Sequence, residues 1–403
     1  MEINKYDFII IGGGAAGFFT AINTAELNPE KRILILEKSG KFLDKVRISG
    51  GGRCNVTHAC WEPKELVRYY PRGSKELLGP FHRFMCGDML SWLDDHGVET
   101  KIESDGRIFP SSNTSQTILD CFLGQAQNLG VKMKLSEGMR DFTQNEDHTF
   151  TVGTTKDQNY LCDKLVIATG GSKSIWKILQ AKNIKINPPV PSLFTFNIEN
   201  PIIKDLPGVS VEFAEVEIDG FKMKTTGPIM ITHWGLSGPG ILKLSAWAAR
   251  WLNQENYEFT IRVAWKQINL EEAMRLILRQ KKKHGANKTV TDNIFNLPKR
   301  LWKNITLHLK INSKNWADLS KVEIQKLIDT VRSCEFKVSG KSTNKDEFVT
   351  SGGIVLNQVN FKTMESKNIR NLFFAGEILD IDALTGGFNF QSAWTTGWII
   401  SQN

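Results

Sequence analysis

Gly12, Gly14 and Gly17 stand at G-x-G-x-x-G spacing in "IIIGGGAAGFF", and a second triple glycine, Gly50, Gly51 and Gly52, follows in "RISGGGRCNVTH". Runs of this kind are kept where the backbone must take left-handed angles or come close to a ligand. In the first run Gly12 permits a tight turn, Gly14 lets the main chain approach a pyrophosphate, and Gly17 lets a helix pack on a strand. The helix N-terminus at Ala15 and Ala16 then faces the phosphates. Glu37, followed by Lys38, falls where a carboxylate accepts hydrogen bonds from the adenosine ribose hydroxyls. Together these residues predict a dinucleotide site.

The second run decides which dinucleotide is expected. A nicotinamide dehydrogenase needs one glycine-rich loop, whereas FAD is longer, and its ribityl chain and three-ring head must be held by further segments. The chain supplies such segments: Ser49, Gly50, Gly51, Gly52, Arg53, Cys54 and Asn55; Thr169 and Gly170 in "ATGG"; and "FFAGEILDIDALTGGFNFQSAW". In the last block Gly376 and Glu377 are expected near the pyrophosphate and ribityl, with Asp380 as a further partner for ribityl hydroxyls. A helix starting near Gly386, Gly387, Phe388, Asn389 and Phe390 would aim its N-terminal amides at the electron-rich N1–C2=O edge of the ring. FAD is therefore the expected cofactor. No second complete glycine motif follows a strand, so NADH or NADPH would bind transiently at the flavin face as reductant.

A flavin reductase also needs a proton donor. Cys54 beside Arg53 is one candidate, against the reading that an isolated cysteine is a small buried residue. His233 in "THWGLSGPG" is a second, against a structural histidine. Arg53 is expected either to anchor a carboxylate, carbonyl or phosphate or to hold its own loop. Arg107, beside the Asp105–Gly106 turn in "ESDGRIFP", fits a substrate-side loop or a plain hairpin equally.

Strands and helices must position these residues. "YDFIIIGGGAAGFFTAINTAEL" reads as an apolar strand, a glycine turn and a helix, and "KRILILEKS" as a second strand, making a βαβ unit with a parallel sheet. Apolar strands recur at "KLVIATGG" and "NLFFAGE", near opposite ends of the chain. The expected fold is α/β: a Rossmann-like FAD-binding domain (1–190 and 346–403) interrupted by an inserted β-barrel-like domain (191–269) and a small helical subdomain (270–345). Alternation in "VSVEFAEVEIDG" and "YEFTIRVAW" predicts antiparallel strands, and "LEEAMRLILRQ" and "LSKVEIQKLIDTV" predict helices.

Composition is that of an ordinary globular chain: 403 residues, 41% hydrophobic and 23% charged. The apolar run from Phe8 to Ile22 is short and broken by glycines, so neither a membrane span nor a signal peptide is expected, and the protein is read as cytoplasmic. Six cysteines without a C-x-x-C pair argue against a zinc site or a dithiol centre. The net charge of +8 is concentrated between Leu270 and Lys326, where thirteen Lys or Arg face five Asp or Glu. Arg275, Arg279, Lys281, Lys282, Lys283, Lys288, Lys299 and Arg300, with Trp302 and Trp316 nearby, read as a polyanion-binding region or as a solvated helical face.

The blocks "IIGGGAAG", "ISGGGRCNVT", "ESDGRIFP", "ATGG", "THWGLSGPGIL", "VTSGGI", "TMESK" and "LFFAGEILDIDALTGGFNFQSAWTTG" resemble, in order from Tyr6 to about Ile400, a bacterial FAD-dependent flavoprotein family. Its members are known variously as aminoacetone oxidases, bile-acid reductases and a ribosomal RNA dihydrouridine synthase. The resemblance implies a flavoprotein with an inserted β-barrel-like domain and a helical part. Phe388 stands where the family more often has Tyr, His58 where Asn is common, and Ala383 and Leu384 replace a more glycine-rich pair. Three functions follow as expectations: a reductase of uridine in large-subunit ribosomal RNA, an oxidoreductase of a small amine, enone or steroid, and a flavin-holding RNA- or ribosome-binding protein.

Overall fold

The computed structural model describes residues 4–342 and 349–403. The expected boundary between residues 345 and 346 lies outside the described residues. The chain forms two compact units, Met1–Pro189 with Thr350–Asn403, and Val190–Val349.

In the first unit β1 (Asn4–Ile11) and β2 (Ile33–Leu36) pair in parallel across α1 (Ala15–Leu27). The four residues of β2 and the last four of β1 are buried without alternation, the mark of strands covered on both faces. The strands Asn159–Ile167 and Leu372–Phe374 extend the parallel sheet on one side of β1, and Lys132–Lys134 extends it beyond β2. The C-terminal stretch thus returns to a sheet begun at the N-terminus. An antiparallel hairpin, Met139–Gln144 with Phe150–Thr154, joins through Asn159–Ile167.

Two helices of this unit are buried on almost every side and pack on each other, α1 and the C-terminal helix Phe388–Ser401. An all-round apolar helix is stable only when enclosed. They pack closely because Gly397 faces α1: a Cβ there would lie 3.0 Å from the Ala16 carbonyl oxygen and the Thr20 hydroxyl. That packing sets the start of α1 near Gly376, whose Cβ position is 3.0 Å from Ala16 Cβ.

The second unit is built on an antiparallel sheet ordered Cys334–Val338, Phe259–Ala264, Ser210–Ile218, Lys224–Ile231, Gly235–Ser237, Thr195–Asn197 and Gly340–Ser342. The first and last strands are one stretch of chain. Val338 pairs with Phe259, Ser339 N–H donates to the Asn197 carbonyl, and Gly340 pairs with Asn197. One segment therefore satisfies both edges, which gives barrel-like closure and leaves no open edge there. The helices Leu270–His284, Lys299–His308 and Lys321–Arg332 share a continuous apolar core with the barrel strands. Asn269 and Ser320 cap two of them by accepting the backbone N–H three residues on. Trp302 and Trp316 belong to this core, 1% and 0% exposed and stacked on each other, so they are not the surface aromatics that the sequence suggested.

Candidate functional site

The first glycine turn is fixed by close contacts on two of its glycines and by open space at the third. Gly12 has φ +110°, and a Cβ there would sit 2.4 Å from the Ala168 carbonyl oxygen; one on Gly17 would lie 2.0 Å from the Gly12 oxygen. At Gly14, the residue before α1, a Cβ meets nothing within 4 Å. The turn is therefore packed against "ATGG" on one side and open where the helix amides point. Glu37, just past β2, is held from both sides: the Gly13 N–H donates to Oε2 and the Ser39 N–H to Oε1, each at 2.8 Å. Each oxygen keeps a lone pair for a further donor. Lys38 next to it is exposed.

Thr169 borders the same turn, and its hydroxyl is buried without a hydrogen-bond partner among the described residues. Gly170 and Glu377 adjoin it; a Cβ on Gly170 would be 3.5 Å from Glu377 Oε2, and that oxygen accepts from Lys45 Nζ at 2.8 Å. Gly376 donates its N–H to Thr396 Oγ1. Asp380 is buried and accepts from the Asn187 side chain, so its carboxylate ties two segments of the unit together.

The second triple glycine ends the short helix Asp44–Gly52. Gly50, Gly51 and Gly52 have φ of +56°, +68° and +84°, three successive left-handed residues that other amino acids adopt only with strain. Cβ atoms on Gly51 and Gly52 would meet nothing within 4 Å. Ser49 donates its hydroxyl to the Val46 carbonyl, and Asn55 Oδ1 accepts from the Ile108 N–H. Arg53 Cζ sits over the Phe109 ring, 3.9 Å from its centroid, and the guanidinium donates to Glu103 at 2.6 Å. Arg107 shares that carboxylate and also bonds Asp105. Cys54 is wholly enclosed, and burial pushes its thiol up to about 12. A thiol surrounded by protein on every side keeps its proton and presents no face to a ligand, so the structure gives Cys54 a packing position.

The C-terminal helix opens at Gly387, φ +88°, with no side chain capping its first turn among the described residues. A Cβ on Gly387 would collide with the Thr57 backbone at 2.6 Å, which draws the Gly386–Gly387 turn against Thr57 and His58. Asn389 bonds the main chain of Ala383 in both directions and fixes the approach to the turn. Phe388 stacks on Tyr69 at 4.1 Å and 12°, with His58 on it at 4.6 Å; Phe390 stacks on Trp394. His58 and Phe388, both departures from the resembled pattern, are thus in contact. Tyr70 donates to the Phe388 carbonyl, and Arg72 forms an ion pair with the buried Asp382. Tyr69, Tyr70 and Arg72 were missed because no motif marks "YYPRGS", and Asp382 was passed over within a block read for its glycines and Asp380.

His58 Nδ1 lies 3.1 Å from the Gly386 carbonyl, and burial lowers its pKa from the ordinary 6.5. The fold therefore favours the neutral ring. Its contribution to stability is complete above about 6.5 and is lost as pH falls through the lowered folded value. His58→Asn should flatten that acid limb, read as urea-unfolding stability between about pH 5 and 7.

In the second unit His233 is exposed on the turn between Lys224–Ile231 and Gly235–Ser237, beside Trp234. The basic residues divide. Lys281, Lys288 and Arg300 donate to the carbonyls of Leu319, Ser313 and Asp205 and tie the unit together. Arg275, Arg279, Lys282, Lys283 and Lys299 are exposed and have no ion-pair or hydrogen-bond partner among the described residues.

A family model described as the HI0933-like protein Rossmann domain matches residues 6–403. The chain belongs to this family. It is 28% identical to the ribosomal RNA dihydrouridine synthase of Escherichia coli over 416 residues, covering 100% of this chain and 98% of that protein. It is 25% identical to the 3-dehydro-bile acid delta(4,6)-reductase of Clostridium scindens, covering 98% and 97%. Among solved structures, the 3-ketosteroid-delta4-(5alpha)-dehydrogenase of Rhodococcus jostii RHA1 matches with TM-score 0.51 and 10% identity over 99% of this chain and 97% of that one, a likeness of fold. No helix of the described residues is long and apolar enough to cross a membrane, and all six cysteines are unpaired.

Proposed function

We propose that this HI0933-like protein is an FAD-dependent reductase, fed by NADH or NADPH, that saturates the C5–C6 bond of a uridine in large-subunit ribosomal RNA. The observation that carries the cofactor is the pairing of two glycine turns with open space at Gly14, Gly51 and Gly52, where a Cβ would meet nothing within 4 Å, with the buried, partnerless Thr169 hydroxyl that borders the first turn. These residues fit FAD. The Gly12–Gly17 turn and the first amides of α1 hold the pyrophosphate. The Glu37 carboxylate, already fixed by two backbone N–H groups, accepts the ribose hydroxyls. Thr169, Gly170, Gly376, Glu377 and the Ser49–Asn55 loop would hold the rest of the cofactor. The uncapped amides of Phe388, Asn389 and Phe390 favour negative charge at the ring edge. Bound FAD supplies a two-electron carrier able to deliver hydride to an electron-poor C=C bond.

The relatives' names support the reaction class. A uridine reduced to dihydrouridine and a dienone reduced at delta-4 or delta-6 both contain a C=C bond conjugated to a carbonyl. A carbon next to the hydride acceptor must then gain a proton, and His233, the histidine of the "THWGLSGPG" block, is proposed as its donor. His233→Gln should lower turnover while leaving flavin content unchanged. Arg53, locked on Glu103 and Phe109, acts by holding the glycine loop against the cofactor.

The test is an anaerobic titration. NADPH or NADH should bleach the bound flavin, and ribosomal RNA lacking dihydrouridine should restore its colour with one dihydrouridine formed per flavin reoxidised. Reoxidation by a conjugated steroid ketone but not by RNA would establish the small-molecule reading instead. A flavin that neither nicotinamide reduces would point to a non-catalytic flavin-holding protein.

A further inference from the structure

The Leu270–His284 helix buries Ala273 and Ile277 and exposes a broad opposite face. On that face Arg275, Arg279 and Lys282 follow at i, i+4 and i+7, so they form one stripe. None has a carboxylate partner among the described residues, although Glu271 precedes Arg275 by four positions. Helix-dipole compensation explains cations in the last turn, but not Arg275 and Arg279, which stand before it. Leu270, Met274 and Leu278 border the stripe, and Leu270 and Leu278 are 46% and 54% exposed. The surface therefore offers unpaired positive charge edged by apolar area.

A separate feature adjoins its start. The Ser210–Ile218 strand carries a bulge between Val211 and Ala214, where three steps on one strand oppose two on its partner. The extra residue puts Glu212 and Phe213 both outward, and Phe213 is 78% exposed, the largest exposure among the large apolar side chains of the described residues. The Gln267 side chain, two residues before the helix cap Asn269, donates to the Phe213 carbonyl at 3.4 Å. The bulge is thereby tied to the helix start. Bulges re-aim side chains, and this one turns an aromatic ring outward.

We propose that this bulge and helix form a landing surface for an unpaired stretch of RNA. The strand's phosphates are neutralised by Arg275, Arg279 and Lys282, a base stacks on Phe213, and ribose or base edges rest on Leu270, Met274 and Leu278. The cations set the occupant as a polyanion, and the exposed ring selects splayed bases over a closed duplex, whose bases are stacked on one another. The proposal rests on the reading of RNA as substrate, and it adds where on the second unit the RNA is gripped.

The probe is a fluorescent oligouridine, titrated at several salt concentrations with the flavin-loaded protein. Neutralising the stripe with R275Q, R279Q and K282Q together keeps good helix formers in place. It should reduce the slope of log affinity against log salt by about 2, since each phosphate contact on single strands contributes about 0.7. Neutralising Lys303, Lys321 and Lys326, which changes net charge equally, should leave the slope unchanged. Phe213→Ala should weaken oligouridine binding roughly 5- to 100-fold with the slope retained and duplex binding unaffected. An unchanged slope in the first triple variant, or an equal fall in the second, overturns the stripe; unaltered binding by Phe213→Ala overturns the stacking platform. The outcomes separate from those for the reaction: a gene whose loss leaves ribosomal dihydrouridine intact removes the enzymatic reading while these slopes still decide the surface.

Discussion

Gly14→Asp should give a folded protein without flavin. Gly14 has φ −99°, an angle open to any residue, and a Cβ there meets nothing within 4 Å. The substitution therefore introduces no collision, but it places a carboxylate where the first amides of α1 are to receive a pyrophosphate. Like charges juxtaposed in such a site cost several kcal/mol, so FAD affinity should fall at least ~100-fold. The variant should purify colourless and unfold within about 1 kcal/mol of wild type stripped of flavin, the correct reference because a bound ligand stabilises by mass action. Gly12→Ala is the contrasting case. Its Cβ would meet the Ala168 oxygen at 2.4 Å with φ at +110°, so the fold itself should fail. A yellow Gly14→Asp protein with full flavin content would contradict the proposed pyrophosphate position.

Arg72→Ala should strongly destabilise the segment that leads into the C-terminal glycine turn. Asp382 has no exposed side-chain surface and faces the Arg72 guanidinium, whose side chain is 12% exposed. Their backbones also form an isolated bridge, and Leu384 N–H bonds the Tyr69 carbonyl. Removing Arg72 takes this ion pair away from a buried carboxylate, at a cost of about 3–5 kcal/mol. Because Asp382 leads into Ala383, which Asn389 holds, the loss should spread to the Gly386–Gly387 turn and weaken flavin binding. Urea unfolding of the single variant and of Arg72→Met with Asp382→Leu checks this: the apolar pair should recover most of the loss. A single variant within 1 kcal/mol of wild type would show that the pair does not anchor the turn.

Local patterns made the nucleotide unit legible. The apolar strand, glycine spacing, helix and Glu37 all lie within one short stretch, so their order carries the geometry, and "KLVIATGG" and "NLFFAGE" announce themselves as buried parallel strands. What could not be read depended on partners far away in the chain. The barrel closes because residues around Ser339 meet Asn197, a pairing that no alternation reveals. The sequence put Lys281, Lys288 and Arg300 in one basic patch with Arg275 and Arg279, yet the first three spend their charge on carbonyls of their own unit. Trp302 and Trp316 looked like stacking residues beside those cations, but helical spacing shows which side a residue occupies without showing that the side is covered. Cys54 next to Arg53 suggested reactivity, but the residue has a +60° φ and is completely buried, which its neighbours in sequence do not reveal.

The most direct measurement is mass spectrometry of nucleosides from large-subunit ribosomal RNA of cells with and without this gene. Dihydrouridine should be lost on deletion, return with the wild-type gene and fail to return with Gly14→Asp. Unchanged dihydrouridine in the deleted strain would contradict the RNA reductase and leave a flavin enzyme acting on a small conjugated carbonyl compound.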